Sequence, residues 1–315
     1  MPQTYVVTGA AGFIGSHIAE RLLRDGQRVR VIDNLLTGEQ ANLDFLKSLN
    51  GDLSITIGSI TEPETLRPVL QNADFALHQA ALPSVPRSIA DPLETHRHCA
   101  TGTLNVLIAA RDAGLKRLVY AASSSAYGDQ AGEAKVESMN PAPISPYGVA
   151  KLAGEYYAAA FSHSYHLETV SLRYFNVFGP RQDPTSTYAA VIPKFITTML
   201  RGERPTIYGD GTQSRDFTYI NNVVQGNLLA CAAPGVTGET INLAGGGGVV
   251  INDLAAQLNA ILETKLAPNY AAERPGDIKH SRADIAKARR LLGYEPVVSF
   301  EEGLRRTVEW YRARR

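Results

Sequence analysis

Cysteine is scarce in this chain of 315 residues: Cys99 and Cys231 are the only two. Two thiols so far apart make no disulfide framework and fit a reducing compartment, so a cytoplasmic protein is expected. Charge of either sign is not in excess. Lys and Arg number 31 against 31 Asp and Glu, which argues against a general nucleic-acid surface. No apolar run approaches the roughly 20 residues of a membrane span. Met1-Pro2-Gln3-Thr4 passes straight into strand-like residues, with no pattern of a secretory leader. Metal ligands are thin too. His96, His98 and Cys99 cluster on paper, but ligands one residue apart suit a strand, and this stretch leads into a helix. No metal is expected. What remains reads as an ordinary globular enzyme, 44% hydrophobic and 20% charged, long enough for one large domain or two unequal ones.

The most informative residues present are Tyr147 and Lys151, in Ser145-Pro146-Tyr147-Gly148-Val149-Ala150-Lys151. Pro146 restricts Ser145 and suits the first turn of a helix. A helix starting there places Tyr147 and Lys151 on one face. A phenol ordinarily loses its proton near pH 10, so ionising it at neutral pH takes about 3 units, or roughly 4 kcal/mol. A neighbouring ammonium is one source of that energy, and a cationic cofactor ring is another. On its own the pair is equally a solvated helix stripe. The rest of the chain gives it meaning.

Tyr5-Val6-Val7 reads as a buried strand that runs into Thr8-Gly9-Ala10-Ala11-Gly12-Phe13-Ile14-Gly15. Ile14, Ile18 and Leu22 then recur at helical spacing. Glycines between a strand and a helix serve three needs. Gly9 permits the tight turn, Gly12 lets a pyrophosphate approach the backbone, and Gly15 allows close packing. The helix N-terminus offers free N–H donors and a positive dipole end to phosphates. Val29-Arg30-Val31-Ile32 follows and ends in Asp33, 18 positions after Gly15 (33 − 15). That is close to the spacing of about 20 for an acid that hydrogen-bonds an adenosine 2′-OH, and it selects NAD over NADP.

Further strands are expected at Asp74–Ala81, ending in small residues, at Leu118–Tyr120 and at Val170–Leu172, with a helix over 104–113 ended by Gly114. The alternation predicts an α/β fold, a Rossmann-type doubly wound parallel sheet, with ligands at the carboxyl ends of its strands. Ser123-Ser124-Ser125 falls at one such end. Gly245–Gly248 reads as a loop rather than a second phosphate cradle, and Ser299 with Glu302 as a cap on the last helix.

Together, Gly9-x-x-Gly12-x-x-Gly15, the serine at a strand end and Tyr147-x-x-x-Lys151 resemble the extended short-chain dehydrogenase/reductase superfamily. Within it, the chain is most similar to UDP-hexose 4-epimerases. That likeness rests on Tyr120-Ala121-Ala122-Ser123-Ser124-Ser125-Ala126-Tyr127-Gly128-Asp129, Leu172-Arg173-Tyr174-Phe175-Asn176-Val177-Phe178-Gly179, Tyr208-Gly209-Asp210-Gly211 and Ser214-Arg215-Asp216-Phe217. Ser84-Val85-Pro86-Arg87-Ser88 and Arg274-Pro275-Gly276-Asp277 add to it. Sugar dehydratases carry Thr-Asp-Glu where this chain has Ser123 to Ser125, which counts against a 4,6-dehydratase.

The resemblance implies a catalytic set of Ser123, Tyr147 and Lys151. It implies an NAD shell of Gly9, Gly12, Phe13, Ile14, Gly15, Asp33, Asn34, Ser59, Ile60, Gln79, Ala80, Ala81, Tyr147, Lys151 and Tyr174. It places Asn176, Arg215 and Arg274 on a UDP-sugar diphosphate, Asp277 on the uridine ribose, Ala190 and Val191 at the base, and Tyr208 packed on it. Ser84, Ser123, Ser124, Ser125 and Ser281 complete the substrate set, and the small Ser281 leaves space for a 2-N-acetyl group. Three positions depart from the pattern: Ser59 and Cys99 stand where the family usually has Asp and Asn, and Pro83 where it has Lys or Gly.

The expectation is reversible C4 epimerisation of UDP-hexoses through a 4-keto sugar by a homodimer. The NAD-binding domain is expected over 1–175, with 216–240 returning to it. A smaller α/β substrate-binding domain is expected over 176–215 and 241–315. The competing possibilities are another NAD-dependent nucleotide-sugar enzyme, a dehydratase or reductase, and a non-catalytic NAD-binding regulator. A regulator would be expected to lack the Tyr/Lys pair.

Overall fold

The computed structural model describes residues 1–130, 132–184, 190–273 and 279–314. Six strands before residue 175 build most of one sheet. They are β1 (Thr4–Thr8), β2 (Arg28–Asp33), β3 (Leu53–Ile57), β4 (Phe75–His78), β5 (Arg117–Ser123) and β6 (Glu168–Tyr174). The strand Glu239–Leu243 completes it, and the spatial order is 239–243, β6, β5, β4, β1, β2, β3. Every pairing is parallel. β1 and β4 are buried throughout, as continuous apolar strands covered by helices on both faces should be. The order reverses at β1, next to β4, which opens a crevice above the glycine turn.

The returning segment crosses the limit of 240 expected from the sequence. Ile241 and Leu243 sit fully buried beside β6, so the sheet claims residues through Leu243. A buried arginine locks this edge. Arg117 donates to the carbonyls of Ala230 (2.8 Å), Cys231 (3.1 Å) and Ala233 (2.7 Å) and pairs with Glu168 at 2.6 Å. Its charge therefore meets the negative end of the helix Ile220–Ala232.

Short strands lie beyond the sheet. Ser214–Arg215 is flanked by Val249–Val250 (antiparallel) and His280–Ser281 (parallel), and Thr206–Tyr208 pairs with Asn269–Ala271. The last helix, Phe300–Arg312, starts as expected, with Ser299 Oγ accepting the Glu302 N–H at 3.2 Å. The Glu302 carboxylate instead pairs with Arg305 and Arg306.

Candidate active site

The turn after β1 is as tight as its glycines suggest. Gly9 has φ +72°, and a Cβ there would stand 2.7 Å from the Ala80 nitrogen. A Cβ on Gly15 would fall 2.2 Å from the Gly9 carbonyl, so helix α1 (Phe13–Arg24) presses directly on the turn. Gly12 precedes α1 without any side-chain cap, and no acid occupies the first turn. The first N–H groups and the positive helix end thus point free of competing protein groups. Asp33 closes the turn from the end of β2. Its carboxylate accepts the Ala11 N–H at 2.9 Å and the Leu35 N–H at 2.8 Å. Burial raises its pKa, against the pull of those two amides.

A cavity of about 830 Å3 opens over the carboxyl ends of the strands. Every residue expected in the NAD shell lines it: Gly9, Gly12, Phe13, Ile14 and Gly15 from the turn, Asp33 and Asn34 after β2, Ser59 and Ile60 after β3, Gln79, Ala80 and Ala81 after β4, with Tyr147, Lys151 and Tyr174. The donor set fits a dinucleotide. Uncapped amides open the helix after the glycine turn, the Asp33 carboxylate ends the next strand, and the small side chains of Ala80, Ala81, Ala121 and Ala122 line the same cavity.

Tyr147 and Lys151 come from the helix Pro146–Tyr165, which starts as its sequence foretells. Ser145 is extended ahead of Pro146, and its Oγ accepts the Gly148 N–H at 3.1 Å. Tyr147 is hydrogen-bonded to Ser123, and Ser125 Oγ donates to Ser123 Oγ at 2.8 Å. A line of hydroxyls, Ser125–Ser123–Tyr147, therefore enters the cavity. Burial pushes the phenol well above its ordinary pKa, a thiolate charge at Cys99 would push it further, and the Ser123 bond opposes. Lys151 follows one turn later on the same helix. Its Nζ lies 4.8 Å from the Tyr120 ring centroid, in cation–π contact. Burial lowers the Lys151 pKa, and the Cys99 and Glu155 charges pull it back up. Two charges can oppose the burial penalty on Tyr147: this ammonium and the cationic ring of a bound cofactor.

The departures have local solutions. Cys99 Sγ accepts the Leu82 N–H at 3.4 Å and faces the Leu82 carbonyl at 3.6 Å, the same two partners an amide side chain could serve. Cys99 lies in a π-turn, Arg97–Thr101, one place where helices bend at functional sites. Ser59 Oγ turns to Thr61, 2.8 Å away. His98 is bonded to Glu94 at 2.9 Å. His78, unremarked in the sequence, is fully buried between Thr8 (2.7 Å) and Thr103 (3.0 Å), and burial takes its pKa down to about 3. It is a neutral strut under the site.

The expected substrate residues gather less tightly. Ser84 and Ala190 line the cavity. Ser84 has φ +122°, a strained conformation for a residue with a side chain. Ser123 reaches the cavity through Tyr147, while Ser124 and Ser125 form the turn behind it. Arg215 and Ser281 sit side by side on paired strands, and Asn176 Nδ2 donates to the Asp216 carbonyl at 3.2 Å. Val191 begins the helix Val191–Leu200, and Tyr208 ends its strand. Arg274 and Asp277 lie outside the described residues. Two groups were missed by sequence reasoning. Asn227 shares hydrogen bonds with Gln79 (3.2 Å) and the Tyr174 hydroxyl (2.9 Å), which fixes the cavity's far wall. Asp216 stands beside Arg215 in the motif Ser214–Phe217, where the sequence reading gave it no role.

The parallel sheet, the glycine turn and the cavity over its strand ends, with Tyr147 and Lys151 in its wall, are the arrangement of an NAD-dependent enzyme of the extended short-chain dehydrogenase/reductase class. Comparison with known proteins narrows this. Residues 5–244 match the NAD dependent epimerase/dehydratase family. The UDP-N-acetylglucosamine 4-epimerase of Methanobrevibacter ruminantium, solved with UDP-N-acetylmuramic acid, is 41% identical, with a TM-score of 0.95 over 100% of this chain and 99% of that one. The UDP-glucose 4-epimerase of Thermotoga maritima, solved with UDP-glucose, is 37% identical, with a TM-score of 0.93 over 99% of each chain. The UDP-glucuronic acid 4-epimerase of Bacillus cereus, solved with UDP-glucuronic acid and NAD, is 34% identical, with a TM-score of 0.92 over 99% of this chain and 100% of that one. The chain belongs to the NAD-dependent epimerase/dehydratase family and, within it, to the UDP-sugar 4-epimerases, which are isomerases.

Proposed function

We propose that the enzyme interconverts the C4 epimers of UDP-hexoses, taking UDP-glucose and UDP-galactose and also UDP-N-acetylglucosamine and UDP-N-acetylgalactosamine. The observation that carries this is the hydroxyl line Ser125–Ser123–Tyr147 entering a cavity shaped for a dinucleotide. In this reading Tyr147 takes the proton of the sugar 4-OH and later returns it, with Ser123 hydrogen-bonded to the same oxygen. The residues lining the glycine turn and the strand ends would hold NAD, whose ring would supply a reversible hydride acceptor for C4. Lys151 holds a buried positive charge near the phenol. Asn176 and Arg215, with Arg274 nearby, clamp the diphosphate while the 4-keto sugar turns its other face, and Asp277, Val191, Ala190 and Tyr208 hold the uridine. Arginine suits this task because its fork matches phosphate oxygens. On this view 176–215 and the C-terminal part serve the nucleotide.

The test is direct. The purified enzyme, without added NAD, should convert UDP-glucose and UDP-N-acetylglucosamine to their 4-epimers, resolved by NMR. Accumulating NADH or loss of water would point to a reductase or dehydratase instead.

Acceptance of N-acetyl sugars is ascribed to Ser281, which sits beside Arg215 with a small side chain. Ser281→Tyr should lower kcat/KM for UDP-N-acetylglucosamine by about 100-fold and leave UDP-glucose within a few-fold, since clashes discriminate more than lost contacts do. Equal losses on both substrates would remove Ser281 as the gate.

We further propose a cytoplasmic homodimer. Support for the compartment is that both cysteines are free and buried. Support for the dimer is the apolar side of the helix Pro146–Tyr165, where Val149 and Tyr156 are 54% and 59% exposed, beside Leu93 at 81%. Sedimentation of a monomer at micromolar concentration would refute it.

A further inference from the structure

Asp216 follows Arg215 in the chain and is fully buried. Each of its polar groups is committed. Oδ1 accepts the Gly245 N–H at 3.0 Å and Oδ2 the Ala283 N–H at 3.1 Å, with the amides of Gly246 and Gly247 also directed at the carboxylate. Its own N–H donates to the Ser281 carbonyl at 2.7 Å. Its carbonyl accepts from Asn176 Nδ2 at 3.2 Å. One residue thus joins the three segments that carry Asn176, Arg215 and Ser281.

The glycine run after Ala244 is the other half of the device. Successive backbone amides pointing into one concavity make an anion nest. Here the anion is internal, so Gly245–Gly247 serves the protein's own carboxylate rather than a second phosphate. The fit is close. A Cβ on Gly245 would stand 2.7 Å from the Phe217 carbonyl and 3.3 Å from Asp216 Oδ1, and Gly246 has φ +79°. On the far side Phe217 stacks on Phe300, with centroids 5.6 Å apart, so the node is anchored in the core. Burial lifts the Asp216 carboxyl to about 6, against the pull of the four amides.

We propose that Asp216 is a positioning residue for the nucleotide diphosphate: held in the Gly245–Gly247 nest, it fixes Arg215 and Asn176 in the geometry that grips UDP. This rests on the reading of Asn176 and Arg215 as the diphosphate clamp. Asp216 is fully buried and is not among the residues lining the cavity, so its loss should appear in affinity and not in the chemical step.

The experiment is calorimetric titration of UDP into the holoenzyme, with steady-state kinetics on UDP-glucose. Asp216→Asn keeps the shape and turns one acceptor into a donor facing an N–H. It should raise the UDP Kd and the KM by about tenfold or more, the scale of a lost charge-assisted anchor, while kcat stays within about threefold. Gly246→Ala keeps Asp216 but spoils the nest, and should move Kd in the same direction; it decides the matter if Asp216→Asn does not retain cofactor. Arg215→Ala separates the two levels. If it abolishes UDP binding while Asp216→Asn or Gly246→Ala binds UDP as the parent does, the positioning role is overturned and the clamp stands. If Arg215→Ala itself binds normally, the clamp falls and the inference with it. A drop in kcat at constant KM would also overturn the inference, because it would mark a general structural defect.

Discussion

Replacing Tyr147 by Phe is expected to lower kcat by about three orders of magnitude and to leave NAD in place. The ring stays the same size, so the half-buried pocket it fills beside Leu82, Cys99 and Ala150 remains packed. What disappears is one oxygen, and with it the end of the hydroxyl line from Ser125 through Ser123. A thousandfold loss corresponds to about 4 kcal/mol of barrier. Ser123 alone cannot replace the oxygen, since a serine hydroxyl is a far weaker acid than a phenol. The phenol of the cofactor-free protein sits above its ordinary pKa because burial penalises the anion. The cationic ring of bound NAD would favour the anion and lower that pKa. Tyrosinate absorbance, titrated for parent and variant, should show one phenol ionising at lower pH with NAD bound than without it. Near-parental turnover by Tyr147→Phe, at full cofactor content, would take Tyr147 out of the reaction.

Much of this site could be read before the fold was known, because its cofactor half is local. The turn from Gly9 to Gly15 is a single stretch of chain, and the start of the catalytic helix needs only Ser145 and Pro146. Such features depend on backbone sterics and capping, which short sequence determines. What stayed hidden depends on distant partners. Glu239–Leu243 carries Glu239 and Asn242 among its apolar residues, and it joins the sheet only because β6 offers a buried edge. The Lys151 ammonium lies against the face of Tyr120, a residue from β5 that its spacing to Tyr147 does not announce. Asn227 and Asp216 matter through bonds to residues 148 and 67 positions away, which no spacing rule connects. Cys99 shows the reverse error. The thiol looked like a loss of polarity, yet it keeps both contacts to Leu82 in weaker form.

A second large effect should come from a pair that touches no ligand. Glu155, one turn beyond Lys151 on the same helix, forms a forked salt bridge with Arg173 of β6, at 3.0 Å to Nε and 2.7 Å to Nη2. The two side chains are only 2% and 4% exposed. Burial alone would push the guanidinium down, but the Glu155 bond and charge hold Arg173 above its ordinary value, fully charged. Glu155→Gln removes the negative charge and strands a buried cation, which should cost about 3–5 kcal/mol. For a chain of this size, Tm would fall by roughly 5–8 °C. The damage should spread along a defined route. The Arg173 guanidinium stacks 4.5 Å from the Tyr127 ring centroid, and the Tyr127 hydroxyl donates to Asn242 Oδ1 at 2.7 Å, on the strand that closes the sheet. Asn242 Nδ2 in turn donates to the carbonyls of Lys135 and Asp284. Glu155 is also one of the charges that keep the buried Lys151 protonated, so kcat in Glu155→Gln should begin to fall at lower pH than in the parent. The double change Glu155→Met with Arg173→Met should recover much of the stability, since an apolar pair of similar volume removes the stranded charge. It should not recover the pH profile, because the carboxylate near Lys151 is still missing. Recovery of both by the double variant would mean that Glu155 acts on the fold alone.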